Sequence, residues 1–199
     1  MVNSVVDTSL TKSQDFEKKI PTYEEIIDLM EKWELPVSIR EHCMEVRDIS
    51  CEIIEKISEK NRETFDTMVV KAGALLHDIG RVQTHGLEHG YIGGKLLEKI
   101  NTDPRVVRCA QVHVLGGFTL EDIKNHFPVN LKEEIEEALL PVSIEEKIVC
   151  FADKHAIGTK RVSVRKRFNR WFKKHGRTPF LLKSRYRLLQ IEKELKALV

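Results

Sequence analysis

The stretch Ala72-Gly-Ala-Leu-Leu-His77-Asp78-Ile-Gly80-Arg81 decides how this chain reads. An apolar helical run ends in adjacent histidine and aspartate, and a glycine follows. Gly80 fits the left-handed position just past a helix C-terminus, which puts His77 and Asp78 in the last helical turn. Burying an ionisable pair on so apolar a segment is costly unless something pairs with it, and a metal ion is an efficient partner. A dipeptide alone carries little weight, because capping or an ordinary hydrogen bond explains it as well.

Outward from this stretch, helix signals recur. Thr22-Tyr-Glu-Glu25, Ser38-Ile-Arg-Glu41 and Ser143-Ile-Glu-Glu146 have the form of capping boxes. The second opens a helix running to about residue 60, with the apolar face Ile39, Val46, Ile49, Ile53 and Ile57. His42 falls on that face. The helix carrying the opening stretch is expected over residues 64–79. His89 starts another helix and shares a face with Ile92, Gly93 and Leu96. The glycines there allow close approach to a neighbour. Asp103-Pro104 is a good helix opening, and its helix turns His113 the same way as Val106, Cys109 and Ala110. Gly116-Gly117 ends it. Short helices are expected at 119–127 and 131–140, with His126 read as a surface residue. Asp153 lies beside Val149, Cys150, Ala156 and Ile157 on a helix opened by Ser143. Two more helices fit 163–174 and 179–198. No strand-like alternation of any length is present. Taken singly, His42 reads as a core histidine bonded to a backbone carbonyl, Asp153 as a salt bridge to Lys154 or an inward arginine, and each of the others is explicable as structure. Together, His42, His77-Asp78, His89, His113 and Asp153 aim nitrogen and oxygen donors into one small core, which a buried metal site explains more economically. Imidazole and carboxylate without thiolate suit Mn, Fe, Co, Ni, Zn or Mg.

The 199 residues suit one domain with an appendage or two small domains. Six prolines and ten glycines leave long uninterrupted stretches, which favours an all-α fold. No apolar run approaches the roughly 18 residues of a membrane span. Residues 1–20 read as a loose arm without a secretory signal. The four cysteines, Cys43, Cys51, Cys109 and Cys150, form no CxxC pair and read as reduced core residues of a cytoplasmic protein. Charge is divided. Residues 156–199 hold 14 Lys+Arg and 2 Asp+Glu, and the preceding 155 residues hold 19 and 29. An acidic body thus carries a basic C-terminal segment, suited to a polyanionic ligand or to docking on that body. Within it Phe168, Trp171 and Phe172 interleave with Arg165, Lys166, Arg167 and Arg170. The aromatics are expected to pack on the body and the cations to stay exposed, available to nucleotide or RNA phosphates.

The order His42, His77-Asp78-Ile79-Gly80, Asp153 resembles the HD superfamily of metal-dependent phosphohydrolases, in particular HDIG-type proteins that include small archaeal members. The resemblance covers roughly residues 36–158. It implies a compact multi-helix HD bundle at 21–158, followed by a basic helical extension at 159–199. It implies that His42, His77, Asp78 and Asp153 hold a first divalent transition metal. His89 and His113 match the positions that add a second, bridged by Asp78. The loop from Asp78 to His89 is short, and a single His113 stands where some two-metal members carry a histidine pair, so one or two ions fit. His85 competes with His89 as a ligand or contacts phosphate. Arg81 and Lys71 are candidate phosphate contacts beside the catalytic Asp78. The expected partner is a small phosphate ester, in the first place a nucleotide, with nucleic acid reached through the basic extension and self-association open. The competing expectation is a non-catalytic HD module that binds nucleotides or RNA through that extension.

Overall fold

The computed structural model describes residues 18–199. Of the expected N-terminal arm, residues 1–17 lie outside them. Among the described residues the regular elements are helices, apart from one hairpin of two-residue strands, as the all-α expectation requires. Helix α1 spans Tyr23–Lys32, α2 Val37–Lys56 and α3 Glu59–Arg62. Helix α4 spans Thr67–Leu76, α5 His89–Glu98 and α6 Pro104–Val112. The short α7 (Leu120–His126) and α8 (Val129–Glu134) precede α9, Ile144–Asp153. Strands β1 (Ala156–Ile157) and β2 (Lys160–Arg161) pair antiparallel. The chain closes with α10, Val164–His175, and α11, Pro179–Lys196. No helix among the described residues is long and apolar enough to cross a membrane.

Helix α4 is the centre, and its composition explains why. Val69, Val70, Ala72, Gly73, Ala74, Leu75 and Leu76 are all buried, and a helix apolar on every side is stable only when surrounded. Helices α2, α6 and α9 pack around it. The Thr22 and Ser143 capping boxes form as expected, and a further one joins Thr119 to Asp122. The expected box at Ser38 does not form. Helix α2 starts at Val37, so Ser38 lies inside its first turn, and Pro36 stands at the N-cap, where its side chain has no group to make the bond.

Two expectations about the opening stretch need correction. Helix α4 begins at Thr67, where the Asp66 carboxylate accepts from Met68 and Val69 N–H, and it ends at Leu76. His77 is therefore the residue after the helix, and Asp78 opens a 3₁₀ turn, Ile79–Val82. Gly80 is not left-handed. Its lack of a side chain serves contact instead: a Cβ there would lie 2.0 Å from the His89 carbonyl oxygen and 2.6 Å from the Gly93 nitrogen. The glycines of α5 do permit close approach, since a Cβ on Gly90 would meet the Ala110 carbonyl of α6 at 2.7 Å.

The basic C-terminal helices share the main core. Phe168, Leu188, Ile191 and Leu195 join the apolar cluster built by α2, α4, α6 and α9, and Trp171 and Phe172 pack against it. A smaller cluster gathers Phe118, Ile123, Phe127 and Leu139 under α11's Leu181. Gly116, at φ 76°, lets α11 close on the turn after α6, where a Cβ would strike Leu188 at 2.3 Å.

Candidate metal centre

Four imidazoles and two carboxylates meet at one end of the bundle. His42 comes from the middle of α2, His77 and Asp78 from the end of α4, His89 from the start of α5, His113 from the end of α6 and Asp153 from the end of α9. All six are buried, His77 completely. Each histidine is locked through Nδ1, which lies 2.9 Å from the Gly158 carbonyl for His42, 2.7 Å from Ala74 for His77, 2.7 Å from Gly86 for His89 and 2.8 Å from Ala110 for His113. A carbonyl only accepts, so Nδ1 carries the proton, and Nε2 presents a lone pair to the centre. This is the tautomer and orientation that a metal-ligating histidine requires.

The inward atoms converge. Asp153 Oδ1 is 3.0 Å from His42 Nε2 and 3.8 Å from His77 Nε2, and Asp78 Oδ2 is 3.8 Å from His77 Nε2. Asp78 Oδ1 lies 3.0 Å from His89 Nε2 and 3.3 Å from His113 Nε2, and those two nitrogens are 3.1 Å apart. Asp78 thus has one oxygen towards His77 and one towards His89 and His113, and two groups could hold an ion: His42, His77 and Asp153, and His77, Asp78 and His113. Two observations test whether a cation fits. His77 Nε2 and Asp78 Oδ1 are buried without an aligned hydrogen bond, an expensive arrangement for polar atoms lacking a partner. The His89 and His113 lone pairs face each other, which is repulsive without a positive charge between them. Atoms bound side by side to one ion at roughly 2.0–2.1 Å stand about 3 Å apart, close to the spacing of His42 from Asp153 and of His89 and His113 from Asp78, while His77 stands 3.8 Å from either carboxylate. The donor set fits divalent transition metals.

The protonation states suit ligation. Burial pushes His77 down to about 3 and lowers His113. Burial alone would raise the Asp78 carboxyl, but His77, His113 and His89 hold it well below the usual range. Lys154 and His42 do the same for Asp153 against its own burial. His42 is raised: burial opposes its charged form, and the Asp153 carboxylate outweighs burial.

The centre floors a cavity of about 580 Å³. His42, His89, His113 and Asp153 reach its surface, with His77 and Asp78 just behind. Arg81 lines it and donates from Nε to Asp78 Oδ2 at 2.7 Å. His85 and His126 also line the cavity but are exposed, apart from the buried cluster that holds His89. Lys71 is not brought here. It is exposed on α4 and does not line the cavity. Lys154 is a cavity residue that the sequence reading took only as Asp153's neutraliser: it is 3% exposed, bonds Asp153 Oδ2 and lines the floor. The opposite wall comes from the basic helices, through Arg167, Trp171, His175, Phe180 and Leu181. Leu115, also lining the cavity, holds φ 54°, a costly conformation for a branched side chain.

Residues 39–157 match the HD domain family, and the chain belongs to it; the family lies within the metal-dependent hydrolase superfamily. Among similar proteins, an uncharacterised protein of Methanocaldococcus jannaschii is 38% identical over 132 residues, covering 64% of this chain and 71% of the relative. A tRNA (cytidine(56)-2′-O)-methyltransferase of Thermoplasma volcanium is 31% identical over 79% of this chain and 43% of its own length. The enzyme of the same name from Picrophilus torridus is 43% identical over 44% of this chain and 24% of its own. The chain thus spans less than half of either methyltransferase. No solved structure matches.

Proposed function

We propose that this protein is a metal-dependent phosphohydrolase that cleaves a phosphoester of a nucleotide or a related RNA-derived substrate. The observation that carries this reading is the convergence of four tautomer-locked Nε2 atoms and two ionised carboxylates on the floor of a cavity that also holds Arg81, Lys154 and Arg167. His42, His77, Asp78 and Asp153 would hold one ion, and Asp78, His89 and His113 a second. When bound, a divalent ion lowers the pKa of a coordinated water towards neutrality and polarises a phosphoryl oxygen. The chain's own residues do the rest. Asp78, kept ionised and fixed by Arg81, serves both halves of the ligand set. Lys154 supplies fixed positive charge where phosphate charge grows, and Arg167 on the facing wall meets the charge of the bound substrate. Trp171 and Phe180 offer an apolar face for a base or sugar.

The methyltransferase names belong to proteins of which this chain covers a minority, so methyl transfer is not carried over. Their acting on tRNA supports an RNA-related substrate. The test is metal analysis of protein purified without chelators, beside hydrolysis of nucleotides and RNA ends with added Mn, Co or Ni. Bound transition metal and phosphate release support the reading. Metal-free protein with no turnover on any substrate rejects it in favour of a non-catalytic binding module.

A further inference from the structure

Helix α10 carries the cavity wall on one face and a row of cations beside it. Arg167, Trp171 and His175 follow at four-residue steps and line the cavity. Arg170 and Lys174 stand three residues on from Arg167 and Trp171, one step round the helix towards solvent. Lys166 and Lys173 continue the row, and all four are exposed. Other basic residues of this segment are satisfied by the body: Arg161 by Glu45 and Glu52, Lys183 by Glu121 and Arg187 by Asp122. Lys166, Arg170, Lys173 and Lys174 have no acidic partner among the described residues. Docking on the acidic body therefore accounts for part of the basic segment; Lys160, Arg165, Arg177, Arg185 and Lys193 are left over as well, and this row is the unpaired set that runs beside the cavity-lining face of α10.

From that division we infer that α10 is a docking rail for single-stranded nucleic acid, with the strand's phosphorylated end entering the cavity. The row meets the backbone, and Trp171, inside the mouth and half-buried, stacks the terminal base. A free mononucleotide would need the cavity alone, whereas a chain of phosphates needs a charged path leading out of it. The inference rests on the cavity being the substrate site of the hydrolase reading, but its test does not require turnover.

The probe is a short single-stranded RNA with a phosphate at one end and a fluorophore at the other. Its binding to the full chain is followed by anisotropy over a salt series, with chelator present to silence hydrolysis. The inference predicts salt-dependent binding that falls roughly ten-fold or more when Lys166, Arg170, Lys173 and Lys174 all become Gln. The slope of log affinity against log salt drops by roughly 3, as four lost phosphate contacts require. A charge-matched control, Lys60, Lys99, Lys124 and Lys193 to Gln, changes the slope little. Trp171→Leu weakens binding roughly ten-fold at unchanged slope, and Trp171→Phe restores it, as stacking requires. Four outcomes overturn the inference: no RNA binding, equal losses in the control, no effect of Trp171→Leu in a variant that melts like the parent, or polyglutamate binding as tightly as the strand. The last would assign the row to an acidic protein. RNA binding without metal or turnover would remove the hydrolase reading and leave the rail standing. Turnover of mononucleotides without RNA binding would do the reverse.

Discussion

On the floor of the cavity every imidazole is pinned by a carbonyl and nothing is left to rearrange. On the facing wall, Arg167, Trp171 and His175 hang from a helix whose outer side is solvated. The floor comes from four helix ends and the middle of a fifth helix, all set by the central core. The wall is chiefly the amphipathic α10, laid across that core through Val164 and Phe168, with Phe180 and Leu181 of α11 beside it. The difference suggests a division of labour: a rigid floor fits chemistry, which needs ligands held closely, and an adjustable wall fits recognition, which must accommodate different bases.

The strongest way to break this division is at Asp78. Asp78→Asn keeps the shape but removes the charge shared by both halves of the floor. We expect bound metal, by elemental analysis, to fall towards zero and turnover to drop by about a thousand-fold or more. A variant that keeps both would overturn the assignment. Next in size is Gly80→Ala. The new methyl would collide with the backbone of α5 at His89 and Gly93, and backbone yields only by moving the helix. A loss of about 1–3 kcal/mol is expected, read as a lowered melting temperature, with metal content falling too because His89 moves with α5. An unchanged melt would show that the floor is less rigid than its contacts imply.

Much of the floor's geometry was legible in sequence, because a side chain turned inward sits on an apolar helical face and spacing reveals that face. His42, His89, His113 and Asp153 were found this way. Their locking partners were not. The Gly158 carbonyl that fixes His42 belongs to a hairpin of two-residue strands, too short for any alternation to register. Gly80 was misread because one residue serves equally for a left-handed turn and for close approach, and only the packed neighbour separates the two. The wall was hidden for a different reason. Charge runs mark a surface without saying what it faces, and the closing of α10 over the cavity depends on contacts with residues far away in sequence. Lys154 was legible as a partner of Asp153 but not as a cavity residue, because adjacent opposite charges look like a local pair wherever they lie.

The wall itself can be tested with a smaller effect. Arg167 lines the cavity and donates to the Ala156 carbonyl, so Arg167→Gln keeps a donor and removes the charge. If the wall recognises and the floor reacts, KM should rise about ten-fold with kcat and bound metal nearly unchanged, the pattern of a lost ground-state contact. A collapse of kcat would instead make Arg167 part of the reacting centre.

The mildest effect separates floor from wall by pH. Burial holds His77 near 3 and lowers His113, whereas in the unfolded chain both titrate near 6.5. Below about pH 6.5 the unfolded state therefore binds more protons than the folded one, and stability is lost as the pH falls. The depressed carboxyls of Asp78 and Asp153 act in the same direction: their contribution is present above about pH 4 and lost in more acid solution. His42, raised by Asp153, opposes them, since its contribution is present below about 6.5 and lost as the pH rises through its folded value. With His77 and His113 against His42, the melting temperature of chelator-treated protein should fall by a few degrees between neutral pH and about pH 5. Bound metal should steepen that fall, because protons then compete with the ion for the same atoms. A profile that is flat in chelator and steep only with metal would mean that the floor is ordered by the ion, whereas a fall in both is expected of a floor assembled by the fold.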